Sequence, residues 1–183
     1  ENKDVKGEYA MKVFINPGHA PNGVPDPGAV NPVTGDRECD YALTCGEQVR
    51  DYLIAAGCKA AMLQSDSLSE ICETSNAWEA DVFISIHCNS FNTMARGTET
   101  LYKSEAGKVL AECIQSQIIN SIDTLDRGIK QRDRLWVLNG TNAPAVLVEL
   151  AFIDNANDLE LLKTQLDAFS AAIARGVTDY AKR

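Results

Sequence analysis

The chain has 183 residues, 45% of them hydrophobic, and a formal net charge of −9. That length suits one domain with a substantial core, and the acidity argues against nucleic acid or an anionic membrane as partner. No apolar run approaches the length of a membrane span, so membrane insertion is not expected.

The first ten residues, ENKDVKGEYA, are polar and hold no apolar core of a signal peptide. They read as an N-terminal segment (1–10) ahead of a single domain over 11–183. MKVFIN (11–16) is a predicted strand, and the Pro- and Gly-dense PGHAPNGVPDPGAVNPVTGD follows it. A connection that long without regular structure is usually functional or disordered. From Arg37 the period becomes helical: Ala42, Gly46, Val49, Leu53 and Ala56 share a stripe, and Gly57 ends it. KAAMLQ (59–64) is a second strand, and Ser67 with Glu70 has the spacing of a capping box that opens a helix through Trp78.

DVFISIH (81–87) reads as a buried strand and GTETLY (97–102) as an alternating one. Val109, Leu110, Cys113, Ile114 and Ile118 mark a further helix. RLWVL (134–138) and AVLVEL (145–150) are read as strands, and Leu162, Leu166, Phe169, Ile173, Val177 and Tyr180 stripe a last helix. Strands alternating with helices predict a three-layer α/β domain. The six cysteines form no C-x-x-C pair and mostly fall in apolar patterns, which suits buried free thiols. Disulfides stay open at this point, with fifteen pairings for six cysteines.

The chain has two histidines, His19 and His87, and each directly follows an apolar strand. A lone histidine is more often a hydrogen-bonded structural residue than a ligand. Here both lie at the carboxyl ends of strands, where ligands gather in open α/β sheets. Glu38 falls one turn before Ala42 on the core-facing stripe, beside the loop that carries His19. Favourable interaction with the helix dipole is the bland explanation, but Asp36 and Asp40 are as well placed for it. Two histidines and one glutamate form a zinc set with an open fourth position. Cys39 and Cys88 adjoin two of these residues, but helix rotation and strand alternation point them elsewhere.

Glu149 interrupts the apolar run PAVLVELAFI (144–153). A charge leaving the sheet into water would explain it blandly. With the metal set complete without it, a partly desolvated carboxylate of raised pKa suits a general base.

Five stretches in order, NPGHAPNGVPDPGA, RECDYAL, NAWEADVFISIHCNS, RGTETLY and RGIKQRDRLWVLNGTNAPAVLVELAFIDN, resemble the zinc-dependent N-acetylmuramoyl-L-alanine amidases of bacterial and phage cell-wall lysis. Each is weak alone; the ordered set is specific, and the resemblance covers nearly the whole chain from Met11 to Tyr180. The resemblance implies a mixed, roughly six-stranded sheet flanked by helices. It implies Zn2+ held by His19, Glu38 and His87, with Glu149 catalytic, and cleavage of the amide between the lactyl group of N-acetylmuramic acid and L-alanine of the stem peptide. A peptidoglycan substrate, action outside the cell or in the wall (the periplasm in a Gram-negative cell) and a monomer follow as expectations. A separate wall-binding domain or an activator is compatible with it, as is either role, host autolysin or phage endolysin. Asn16 stands where the family commonly has Asp, Ala151 where it commonly has Gly, and the spacer HAPNGVPD departs from the usual short Gly-rich step. The alternatives are a zinc peptidase that cuts within the stem peptide and an inactive wall-binding domain.

Overall fold

In the computed structural model, residues 10–183 are described; the polar segment assigned to 1–10 therefore lies, but for Ala10, outside the described residues. Six strands form one sheet: β1 (Lys12–Pro17), β2 (Lys59–Met62), β3 (Val82–Asn89), β4 (Thr98–Tyr102), β5 (Asp126–Gln131) and β6 (Ala145–Phe152). Their order across the sheet is β2-β1-β3-β6-β4-β5. The first four in that order run parallel, whereas β4 is antiparallel to β6 and carries β5 parallel to itself. The carboxyl ends of β1, β3 and β6 therefore meet the amino ends of β4 and β5 along one edge.

Five helices cover the sheet: α1 (Glu38–Ala55), α2 (Leu68–Ala77), α3 (Glu105–Ser121), α4 (Trp136–Gly140) and α5 (Ala156–Tyr180). Strand alternation divides the core into two layers. Val82, Ile84 and Ile86 of β3 pack with Val49 and Leu53 of α1, Leu110 and Ile114 of α3 and Phe169 and Ile173 of α5. Phe14, Phe83 and Leu147 face the other way, onto Ile71 of α2 and Val137 and Leu138 of α4. With α2 of ten residues and α4 of five, this second layer is the smaller of the two. Among the described residues, no helix is long and apolar enough to cross a membrane.

The three-layer α/β expectation and the mixed six-stranded sheet hold. One strand is misplaced: RLWVL does not form one, and α4 lies there instead, with Val137 and Leu138 buried side by side as a helix permits and a half-buried strand does not. The sixth strand is β5, DRGIKQ, at the sheet edge. An edge strand bears charges and needs no apolar face, so hydrophobic pattern does not reveal it. Ser67 caps α2 as expected by accepting from the Glu70 amide at 3.2 Å, but the Glu70 carboxylate takes the Ser65 hydroxyl, so the capping box is only half formed. All six cysteines are free thiols, and five are buried.

Candidate metal centre and active site

His19 follows β1 across Gly18, in the left-handed region with φ of 67°. Such a conformation is costly for a residue with a β-carbon and tends to persist at functional sites. It turns the ring back over the sheet edge, where Nδ1 meets the Asp26 carboxylate at 2.7 Å and Nε2 lies 3.0 Å from Glu38 Oε1. The long loop after β1 thus supplies a ligand candidate and the carboxylate that orients it.

Glu38 is the first residue of α1 and is only 4% exposed. Its Oε1 receives His87 Nδ1 at 2.8 Å and the Cys88 amide at 3.0 Å, while Oε2 accepts from the Ala29 amide at 2.8 Å. Burial alone would push this carboxyl up, but His19 and His87 hold it well below the usual carboxylate range. His87 lies on β3, in an edge-on arrangement with His19 whose ring centroids are 5.0 Å apart. One ligand atom from each of His19, Glu38 and His87 lies within 4.8 Å of the others. Three elements distant in sequence therefore deliver an N, O, N set to one point.

The surroundings fit a small cation. A β-carbon on Gly18 would sit 2.4 Å from His87 Cε1, and one on Gly28 would sit 2.6 Å from Glu38 Oε2, so both glycines keep the backbone close to the ligand groups. Burial opposes charge on His19, yet Glu38 and Asp26 outweigh it and raise its pKa to about 9. A cation held by this ring must accordingly displace a proton. The carboxylate–imidazole pair Asp26–His19 is the usual second support of a metal-ligating histidine. Sequence reasoning did not single out Asp26; its signal, a carboxylate seven residues after a candidate ligand in a turn-rich loop, was visible.

Neither cysteine joins the set. Cys88 packs into the core on the face opposite His87, and the Cys39 thiol contacts Asp40 at 3.7 Å.

Glu149 does not end β6, which continues to Phe152; it is paired in register with His87 on β3. Partners in register share a face, so Glu149 stands on the open side of the sheet with the imidazole. The residue as a whole is only partly covered, but Oε2 is sealed from solvent and has no hydrogen-bond partner among the described residues. Desolvation dominates, with Glu38 and Glu99 adding to it and the two histidines opposing, and the pKa rises to about 7. The group is poised to exchange a proton near neutrality.

Beside these residues lies a cavity of about 330 Å³, bounded by His19, Asp26, His87, Leu68, Trp136 and Leu147 among others. A wider depression of about 710 Å³ runs between α1 and α5 past Asp36 and Lys163, and none of the four groups above lines it. Size alone does not mark the site; converging ligand atoms do. Asn16, at the base of the cavity, donates to Pro17 and Leu63 carbonyls at 3.0 and 3.1 Å and accepts from Ser85 at 2.8 Å. An ionised Asp could not make the two donations, which accounts for an amide at this position.

A three-layer α/β domain with a His–Glu–His set and a desolvated glutamate at one sheet edge has the fold and the donors of a metal-dependent hydrolase. Residues 13–179 match the N-acetylmuramoyl-L-alanine amidase family, and the chain belongs to that family of enzymes. It is 38% identical over 178 residues to the uncharacterized protein YqiI of Bacillus subtilis (strain 168), covering 92% of this chain and 84% of YqiI. It is 34% identical to the N-acetylmuramoyl-L-alanine amidase LytC of the same strain, covering 92% of this chain but only 35% of LytC. Among solved structures, N-acetylmuramoyl-L-alanine amidase AmiC2 of Nostoc punctiforme superposes with a TM-score of 0.88 at 30% identity, over 97% of this chain and 100% of AmiC2.

Proposed function

We propose that this protein is a zinc-dependent amidase of peptidoglycan, cleaving the bond between the lactyl carbonyl of N-acetylmuramic acid and the nitrogen of L-alanine, and that it acts in the wall or outside the cell as a monomer. The observation that carries the reading is the convergence of His19, Glu38 and His87 on one point with Glu149 across the strand pair. Family membership supports the choice of bond over a peptidase cutting within the stem peptide.

His19, Glu38 and His87 would hold the ion, and Asp26 would fix the His19 ring. When bound, zinc supplies Lewis acidity to the scissile carbonyl and to the attacking water. Glu149 accepts the proton of that water as its oxygen adds to the lactyl carbonyl carbon. It then returns the proton to the alanine nitrogen as the C–N bond breaks, leaving a lactyl carboxylate and a stem peptide with a free amine. The cavity beside His19 and His87, walled by Leu68, Trp136 and Leu147, offers the substrate an apolar flank next to the reacting atoms.

The test is metal-dependent lysis. Peptidoglycan clearing should stop on chelation and return with zinc, while the far-UV circular dichroism stays nearly unchanged, because this core does not draw its folding free energy from an ion. Full clearing by the metal-free protein would refute the reading.

A further inference from the structure

We infer that Arg127, clamped by Glu99 and Phe152, is a receptor for a carboxylate of the stem peptide, one residue beyond the alanine. This rests on the amidase reading and specifies which substrates the site prefers.

The clamp sits at the same sheet edge as the metal centre. Glu99 near the start of β4 is the direct partner of Glu149 on β6, and so shares its open face. Arg127 lies near the start of β5, the next strand out. Glu99 is buried, and its Oε2 receives Arg127 Nε at 2.7 Å together with the Lys130 ammonium. The guanidinium carbon lies 4.9 Å from the centroid of the buried Phe152 ring. A carboxylate on one side and an aromatic face on the other hold the guanidinium as a rigid plane.

Only Nε of that plane is used. The two terminal nitrogens of Arg127 make no hydrogen bond among the described residues, and its side chain is 30% exposed. Glu99 is shared between Arg127 and Lys130, so it does not take up the whole charge of either cation. A fixed guanidinium with its fork free is the natural bidentate receptor of a carboxylate.

The other flank of the site has the opposite character. The cavity beside His19 is lined by Asp26 and Asp66, by neutral polar and apolar side chains and, among the described residues, by no lysine or arginine. Electrostatics thus gives the open face a direction: an uncharged segment of substrate is favoured over the cavity, an anionic one over β4 and β5. Distance agrees. Strands lie about 4.8 Å apart, so β5 is roughly 10 Å from β6. An extended peptide advances about 3.3–3.6 Å per residue, so alanine and the next residue span about 7 Å, and the long Arg127 side chain reaches back across the remainder. In a stem whose second residue is a γ-linked glutamate, the free α-carboxylate meets the fork; when that carboxylate is amidated, the charge is gone.

The experiment compares zinc-loaded protein on two disaccharide-peptides that differ only in carrying a free α-carboxylate or a carboxamide on the second residue. Wild type should favour the acid by about 10-fold or more in kcat/KM, the scale of a charge-assisted pair. In Arg127→Gln the acid-to-amide ratio should fall to about 1, whatever the rate on the amide. Arg127→Lys, which keeps a cation beside Glu99 without the fork, should fall between and decides the matter if the glutamine variant does not fold. A wild-type ratio of about 1, or a ratio unchanged in the folded variants, overturns the receptor. Cleavage of neither peptide by wild type, at any position, overturns the amidase reading and the receptor with it.

Discussion

His87 and Glu149 face each other in register across the parallel strands β3 and β6. The pairing places a metal-ligand candidate and the proposed proton acceptor on one side of the sheet by backbone geometry alone, with no loop between them. Elements of regular structure hold such groups more tightly than loops do. It also explains a carboxylate within an apolar strand. The side chain lies on the α2–α4 face of the sheet, and its buried Oε2 has no hydrogen-bond partner among the described residues, which leaves it free for the role proposed for it.

Replacing Glu149 by Gln should leave zinc content at the wild-type level and lower kcat on peptidoglycan by about 10²–10⁴-fold, the usual weight of general acid–base catalysis. Thermal stability should hold or rise slightly, because a buried charge is neutralised. In the wild type, protonation disables the base, so the rate falls as pH drops. The carboxyl titrates at about 7 without an ion, and a nearby cation favours the ionised form, so the acid limb of the loaded enzyme should lie below 7 and above the ordinary glutamate value. A pH–rate profile on loaded protein checks this.

Asp26 orients His19 without reaching the metal point itself. Asp26→Asn keeps the shape but weakens the carboxylate–imidazole pair. Zinc affinity, measured by competition with a chelator, should drop about 10–100-fold. Activity should recover at high zinc, which a catalytic role for Asp26 would not allow.

Gly18→Ala introduces a β-carbon 2.4 Å from His87 Cε1 and displaces the ring. The variant should fold, with far-UV circular dichroism of wild-type form, and bind zinc poorly. A variant that binds zinc normally would show that the His87 ring moves without loss.

The thiols give a test away from the site. Burial pushes Cys45 up to about 12, with a hydrogen bond from Ser170 only partly offsetting it. The folded state therefore retains a proton that the unfolded thiol releases above about 8.5–9. Stability from this group is full below that value and is lost as pH rises toward 12, by about 1.4 kcal/mol per pH unit. Denaturant titrations at pH 8 and pH 10 should differ in that direction, and Cys45→Ser, which removes the titration, should reduce the difference. Alkylation of native protein should reach Cys58, the one cysteine that is not buried, before the other five.

Much of this arrangement was legible in the chain. His19 and His87 after apolar strands, Glu38 on the buried stripe of α1 and Glu149 within an apolar run are local signals, and each follows from period and polarity. Asp26 escaped because a flexible-looking loop has no period from which to deduce where a side chain points. β5 escaped because its pairing with β4 is long-range and its outer edge is free, so DRGIKQ carries no apolar pattern. RLWVL misled because apolar residues in a run of five fit a strand or a short buried helix equally well. The clamp of Arg127 by Glu99 and Phe152 joins three strands and could only be seen once they were assembled.

The most direct measurement is digestion of purified peptidoglycan with the zinc-loaded protein, followed by mass analysis of the fragments. Cleavage of the lactyl amide yields intact stem peptides with free L-alanine amino termini and glycan strands stripped of peptide. Shortened peptides still attached to muramic acid would place the cut within the stem and contradict the proposed activity.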